Sequence, residues 1–579
     1  MANSAARRCL MLSLAAMRAR GVIEAAVVVS AAAVLTVVMT YPLAFGLGSL
    51  GRINTGDGQF SIWNVAWVAH ALLTDPSHVF DANIFYPHLG TLAYSEANLA
   101  AGVLALPVYW LTRNPYAAHN SVVLLAFILA AAGMYYLARY LTGSRQAGAV
   151  AAVLFAFCPY LYARTAHIQL MMTAGLPFSM LAAHRMIDVP GPGRAVTLGL
   201  VLVATALGCG YYGIFAGILV GFACCYYMVA RKNWTNGAYY AAAASAAAVA
   251  VLAIWPFYEP YRHLGTDTQP FRALDEAREY SANWAAYLAA AGWGNGWLKT
   301  AVLAAGGPRW NEVLFPGLAT LGLAALGVVA ACVRDGRAQL EGARPVRVRE
   351  TALFYGLVMG LAGWLSLGPD AGLYQLMYRF APAFSLLRAP ARFGIVVTLA
   401  LVVLAAIGIA RVLRGRRRPA LLAAAVCAVA LAELTAVPLP YLQVAPTPGP
   451  YRMLANLPPG ALAEFPFFYQ EVGYFRHSAY MLNSTAHWKP LINGYSDYLP
   501  PDFLAMAIPV SSFPVLEAFN ILHKHGARYV MFHFNWYDSR SLEKLRQRLQ
   551  QYAPYLRQLA SEDDLALYEI VGWPDREPS

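Results

Sequence analysis

The chain has 579 residues, of which 59% are hydrophobic and 12% charged, with a formal net charge of +12. So apolar a composition excludes a soluble protein of this size. The positive charge does not point to nucleic acid, because Arg residues cluster in short loops between apolar runs, the positive-inside signature of membrane proteins.

Arg7, Arg8, Arg18 and Arg20 precede an apolar run over 22–41. No small-residue cleavage site follows it, so an uncleaved signal anchor is expected. Runs of about 20 residues, the length needed to cross a bilayer core of roughly 30 Å, recur at 118–140, 146–163, 168–187, 194–209, 212–230, 238–258, 312–333, 351–368, 389–411 and 419–439. With the N-terminus inside, every basic cluster between spans falls on one side. These clusters are Arg139 with Arg145, Arg185 with Arg194, and Arg231 with Lys232. Arg334, Arg337, Arg344, Arg347 and Arg349 follow, then Arg411, Arg414, Arg416, Arg417 and Arg418. The apolar stretch 99–111 is short and contains Pro107. Counting it as a crossing would move Arg139/Arg145 and Arg231/Lys232 outside, so an interfacial or re-entrant helix is expected there.

Two long loops, 42–117 and 259–311, and everything after 439 then lie outside. In 440–579 strand-like stretches (462–467, 528–532, 565–571) mix with helical patterns at 513–525 and 541–552. The expected architecture is an α-helical polytopic membrane protein of about eleven transmembrane helices over 1–439, followed by a C-terminal extracytoplasmic α/β domain, 440–579. The seven Cys are scattered or adjacent as Cys224 and Cys225, and give neither a metal spacing nor a disulfide framework.

The acidic residues of the first loop draw attention because a carboxylate near a bilayer needs water, a cation or a partner. Asp57 lies between two glycines, which lets the chain turn and present the carboxylate. That suits a general base for an acceptor hydroxyl, a ligand for a divalent cation, or an Asx turn in a wet loop. Asp81 and Glu96 are candidate acidic partners in the same aromatic-rich loop. Glu259 opens the second loop beside Tyr258 and Tyr261. His167 and Gln169 sit at the outer end of a hairpin between spans and are candidates to line the same cavity. Arg164 beside them suits a phosphate or snorkelling to headgroups.

Arg388 and Arg392 stand on the outer side, against the positive-inside trend. Four residues apart, they share a helix face, with Pro390 placing Arg388 just before the helix. Two guanidiniums there suit a lipid-linked phosphate, which Arg binds bidentately. His487, Trp488 and Lys489 open a polar, aromatic stretch over 487–498 that could cap the membrane cavity. No P-loop, H-E-x-x-H or G-x-S-x-G motif occurs, so ATP-driven transport and serine or zinc hydrolysis lack support.

The first part of the chain, about 1–330, resembles the GT-C class of polytopic membrane glycosyltransferases. It is similar to bacterial members near the protein mannosyltransferase and aminoarabinose transferase group. F-S-L-L-R-A-P-A-R-F (384–393), N-E-V-L-F-P-G (311–317) and W-K-P-L-I-N-G-Y (488–495) carry further likeness. The resemblance implies a multi-pass protein of the bacterial cytoplasmic (inner) membrane that uses a polyprenyl-phosphate-linked sugar. It implies inverting transfer on the outer face to a saccharide, lipid or protein acceptor, and sometimes a divalent cation, magnesium or manganese. Asp57 would be the first-loop acid. The chain departs from the pattern in having D-G-Q at 57–59 rather than D-x-D, which leaves metal dependence open. The rival expectation is a transporter, flippase or assembly factor for lipid-linked saccharides. It is disfavoured because acids concentrate in outside loops and no inverted repeat is evident.

Overall fold

The computed structural model describes residues 2–267, 273–290, 292, 294–308, 312–333 and 348–577. Arg334, Arg337, Arg344 and Arg347 of one basic cluster, and Asn311 of the 311–317 motif, lie outside the described residues. Among the described residues, thirteen helices of twelve residues or more frame the membrane part: α1 (Ala2–Met39), α2 (Gly56–Thr74), α3 (Leu99–Thr112), α4 (Pro115–Thr142), α5 (Arg145–Ala156), α6 (Gly175–Asp188), α7 (Pro192–Gly208), α8 (Gly210–Ala230), α9 (Gly237–Asp267), α10 (Leu318–Cys332), α11 (Val348–Ser366), α12 (Gly394–Leu413) and α13 (Pro419–Leu434). Six segments among the described residues are long and apolar enough to cross a membrane: Ala19–Met39, Pro115–Thr142, Arg145–Ala163, Gly210–Ala230, Gly237–Arg262 and Pro390–Leu413. The other expected runs also hold helices, shorter ones except for α11, whose 19 residues begin with the charged pair Arg349 and Glu350. The 168–187 run breaks into Ile168–Met171 and α6. α3 has 14 residues with Pro107 inside, a rise of about 21 Å, short of the roughly 30 Å hydrocarbon core.

α12 is the hub, with 94% of its apolar window buried. It packs on α5, α10 and α11. Two glycines allow its closest approach. A Cβ on Gly408 would lie 2.2 Å from the Leu323 carbonyl oxygen, and one on Gly327 2.0 Å from that of Leu404. Small residues let helix backbones meet where no hydrophobic force separates protein from lipid.

The two expected loops are more ordered than open loops. The 42–117 stretch contains α2, capped by Thr55, whose hydroxyl accepts from the Gly58 N–H at 3.1 Å. The second loop starts later than 259, because α9 continues through Pro256 and Pro260 to Asp267. Its last turns hold by an Arg262–Glu259 ion pair at 3.0 Å and by the Tyr261 hydroxyl, which accepts from the Ala97 N–H at 3.0 Å.

After α13 the chain returns to the first loop. β1 (Leu50–Gly51) pairs antiparallel with β2 (Leu442–Gln443). The Phe85 and Tyr86 N–H groups donate to the Asn493 and Leu491 carbonyls at 3.1 and 2.9 Å. A four-stranded sheet follows, in the order β3 (Ala461–Phe465), β4 (Ala527–His533), β6 (Leu565–Ile570), β5 (Leu556–Glu562). β3 and β4 are parallel; β4–β6 and β6–β5 are antiparallel. These backbone bonds hold residues 491–497 over the start of α2.

The second residue of the 57–59 motif fixes that start. A Cβ at Gly58 would sit 1.9 Å from the Arg52 carbonyl oxygen. Gly58→Ala must therefore displace the first turn of α2, and overpacking of this kind costs about 1–3 kcal/mol. Thermal unfolding of the purified protein should fall for Gly58→Ala and stay level or rise for Gly217→Ala, in the interior of α8 where nothing lies within 4 Å. Equal melting of both variants would contradict this packing.

Candidate functional site

Asp57 occupies the first turn of α2 rather than a glycine-flanked Asx turn. The Thr55 cap favours helix over the local turn, and the positive end of the helix favours the carboxylate. Asp57 Oδ2 lies 3.2 Å from His167 Nε2, and the Tyr495 hydroxyl donates to Oδ1 at 3.3 Å. The His167 hydrogen bond, outweighing partial burial and aided by Tyr495 and Arg388, holds the Asp57 carboxyl below the usual aspartate range. His167 Nδ1 is buried with no hydrogen-bond partner among the described residues. A proton there would be an unpaired buried donor, so the ring's proton is assigned to Nε2, facing Asp57. Gln169, half-buried, follows in the short helix Ile168–Met171.

Arg388 and Arg392 do not share an α-helical face. Pro390 lacks an N–H and restrains its predecessor; Pro390–Phe393 is a 3-10 turn ahead of α12. The two residues converge on Tyr211 instead. The Arg388 N–H donates to the Tyr211 hydroxyl at 2.7 Å, and the Arg392 guanidinium lies 4.4 Å from the Tyr211 ring centroid. Arg388 is held by Asp497 at 3.4 Å and Glu276 at 3.7 Å, and packs over Tyr280 at 4.9 Å. Arg392 Nε is buried with no hydrogen-bond partner among the described residues.

Glu96 belongs to this cluster. It accepts from the Gly210 N–H at the start of α8 and from Cys209 at 3.9 Å. Burial pushes its carboxyl up to about 7, against the pull of Gly210 and of the Arg392 charge. Tyr261 clamps the backbone on either side of it, at Ala97 and Ser95. Tyr258 is largely exposed and stacks on Tyr261 at 6.4 Å.

Other expected site residues have local tasks. Asp81 accepts from the Gly90 N–H at 2.7 Å, and Glu259 pairs with Arg262. The Lys489 ammonium donates to the Leu457 and Pro458 carbonyls, both at 2.8 Å. His487 accepts from the Lys489 N–H at 2.9 Å, and burial pushes its imidazole down to about 3. Trp488 stacks on His70 at 4.5 Å and donates to Tyr109 at 3.2 Å. These three side chains fasten the 487–498 stretch; Tyr495 and Asp497, further along it, reach Asp57 and Arg388. Arg164 pairs with Glu312, both nearly buried.

Among the described residues no three His, Cys, Asp or Glu side chains converge as a metal site. Asp57 has one imidazole beside it and a guanidinium in its field. That donor set does not fit a resident magnesium or manganese ion, which takes several oxygen ligands.

The chain is similar in fold to the arabinofuranosyltransferase AftD from Mycobacteria. The TM-score is 0.58 at 14% identity, over 96% of this chain and 40% of that one. This chain thus spans about two fifths of AftD. Weaker superpositions relate it to the oligosaccharyltransferase of Archaeoglobus fulgidus (TM-score 0.46, 12% identity, 93% of this chain and 72% of that one). They also relate it to ArnT from Cupriavidus metallidurans (0.38, 13%, 95% and 98%). No curated protein matches the chain. The chain thus shares the fold of AftD. Residues 71–435 match the family described as a domain of unknown function, DUF6311, and the chain belongs to that family.

Removing one partner of a buried ion pair leaves the other charge stranded, at a cost of about 3–5 kcal/mol. Glu312→Gln should therefore lower thermal stability sharply. Combining it with Arg164→Met should recover most of the loss. Additive losses in the double variant would show that the two side chains do not depend on each other.

Proposed function

We propose that this chain is an integral membrane glycosyltransferase that moves a sugar from a polyprenyl-phosphate donor to an acceptor hydroxyl of a saccharide, lipid or protein. The reaction takes place on the outer face of a bacterial cytoplasmic membrane. The N-terminus and the basic run 414–418 are cytoplasmic, and 440–579 is outside. One observation carries the reading: a charged aspartate with its own imidazole donor stands in the field of Arg388, which shares Tyr211 with Arg392. The shared fold with AftD supports it.

Asp57 accepts the proton of the attacking hydroxyl. As the acceptor oxygen bonds to the anomeric carbon, the bond from that carbon to the donor phosphate oxygen breaks, and its electron pair leaves on the phosphate. Attack opposite the leaving group inverts the anomeric centre. Arg388 and Arg392 balance the charge gathering on the phosphate. To bind it, Arg388 exchanges Asp497 or Glu276 for phosphate oxygens, and the unpartnered Arg392 Nε gains an acceptor.

Loss of a general base costs about two to four orders of magnitude in rate. With a panel of undecaprenyl-phosphate pentoses and hexoses, Asp57→Asn should lose release of undecaprenyl phosphate by that factor while still binding undecaprenyl phosphate. Because the Asp57 carboxyl is depressed, it is ionised above its lowered value, and its share of activity disappears only as pH falls through that value. His167→Gln should move this acid limb upward. Near-parental turnover by Asp57→Asn would remove Asp57 from the mechanism.

Lys keeps charge but lacks the guanidinium fork. Arg388→Lys and Arg392→Lys should weaken undecaprenyl phosphate binding about tenfold each, the loss of one good contact of roughly 1.4 kcal/mol, with insertion unchanged. Parental affinity in both would return the pair to headgroup anchoring.

A further inference from the structure

Ser61 lies one turn beyond Asp57 on α2 and is 3% exposed; His119, near the start of α4, is fully buried. Neither is bonded to the two guanidiniums, and the mechanism above leaves both unused. Their hydrogen bonds nevertheless end beside the catalytic pair. His119 Nε2 lies 3.1 Å from Ser61 Oγ, and Ser61 Oγ accepts from the Ile168 N–H at 3.3 Å. Ile168 directly follows His167 and opens a short helix, where first-turn N–H groups lack intrahelical acceptors.

The donors and acceptors along this chain can be assigned by elimination. The Asn120 side-chain amide donates to the Leu47 and Leu50 carbonyls at 2.8 and 2.7 Å. Its amide nitrogen is therefore fixed, and the oxygen faces His119 Nδ1 at 3.4 Å. That oxygen can only accept, so His119 carries its proton on Nδ1 and accepts at Nε2. The Ser61 hydroxyl must then donate to His119, which leaves its oxygen lone pairs to receive the Ile168 N–H. Every member has one role, and reversing any link strands a buried group, which is costly.

We propose that Ser61 and His119 are positioning residues for the Asp57–His167 contact. They fasten the 167–168 backbone to α2 and α4, so that the His167 Nε2–H meets the Asp57 carboxylate. The inference rests on reading Asp57 as the base. Asp57 is held at its other oxygen by Tyr495 and lies in the field of Arg388, so neither of those contacts fixes where His167 stands. The His167 side chain has no second anchor, since Nδ1 is unpartnered among the described residues, and its backbone N–H bonds only locally, to the Arg164 carbonyl at 2.8 Å. A shift of its backbone would pass directly into the 3.2 Å contact.

The test uses the full chain in lipid nanodiscs with imidazole-15N histidine, the His167 signals being assigned by their loss in His167→Gln. In the parent, His167 should show a single tautomer with the proton on Nε2. Ser61→Ala should convert it to a tautomer mixture, and Ser61→Thr, which keeps the hydroxyl, should restore the parental signals. His119→Phe keeps the ring volume and removes both nitrogens; it should move the signals in the same direction and stands in where Ser61→Ala does not fold. In transfer from the active undecaprenyl-phosphate sugar, Ser61→Ala should lower kcat about tenfold and leave the donor KM unchanged. Parental His167 signals in either Ser61→Ala or His119→Phe would overturn the positioning role. The spectroscopic readout needs no turnover, so that failure is distinct from an active Asp57→Asn enzyme, which would sink the catalytic reading instead.

Discussion

A carboxylate at the edge of an apolar phase keeps its charge only where donors and cations face it, and the geometry around Asp57 is built on that constraint. The Thr55 cap opens α2 with its positive end towards the residue, His167 and Tyr495 donate to its two oxygens, and Arg388 adds a distant positive charge. Glu96 stands in the same cluster under the opposite balance. It is buried against α8 with one backbone N–H and a thiol, and its carboxyl is pushed up to about 7. The environments separate two acids that the sequence places in one loop, a division of labour typical of sites that move protons. On the function proposed above, an uncharged Glu96 beside Arg392 would lower the repulsion that an incoming phosphate meets.

Much of this was legible in the sequence because apolar length and basic placement are one-dimensional signals. The runs at 118–140, 212–230 and 389–411 correspond to long helices, and the pairing of acid and Arg could be sought from residue type alone. Misreadings arose where a local pattern competed with a tertiary one. The glycines beside Asp57 read as a turn, yet Gly58 serves the approach of the Arg52 carbonyl to a helix. The apolar run reads as ending at 258, yet the helix continues to Asp267, with Tyr261 and the Arg262–Glu259 pair placed in the extension. Arg388 and Arg392 were four apart on a presumed helix, and Pro390 put them on a tight turn instead.

The 487–498 stretch illustrates what spacing cannot resolve. Its polar density marked it as functional, but density does not say which side chains are fasteners. Lys489 spends its ammonium on two carbonyls, and Trp488 spends its ring on His70 and Tyr109. Those contacts run to residues far away in the chain, so no local pattern could separate them from Tyr495 and Asp497. Tyr211 and Glu276 have no signal in the sequence for the same reason. Both lie in helices with no motif of their own and meet Arg388 only after folding.

The acidic partners of Arg388 bear on how a donor could enter. A half-buried guanidinium without partners would be costly before the donor arrives. Asp497 and Glu276 meet that need at 3.4 and 3.7 Å, distances longer than a tight charge-assisted hydrogen bond. The pairing is close enough to keep the charge in place and loose enough to give way to a phosphate that can take two N–H groups at once. Asp497 lies two residues from Tyr495, so a phosphate displacing it would act on the same short segment that holds Asp57. On the function proposed above, donor binding and the setting of the base would be carried by one stretch of backbone, anchored to the first loop at Asn83, Phe85 and Tyr86.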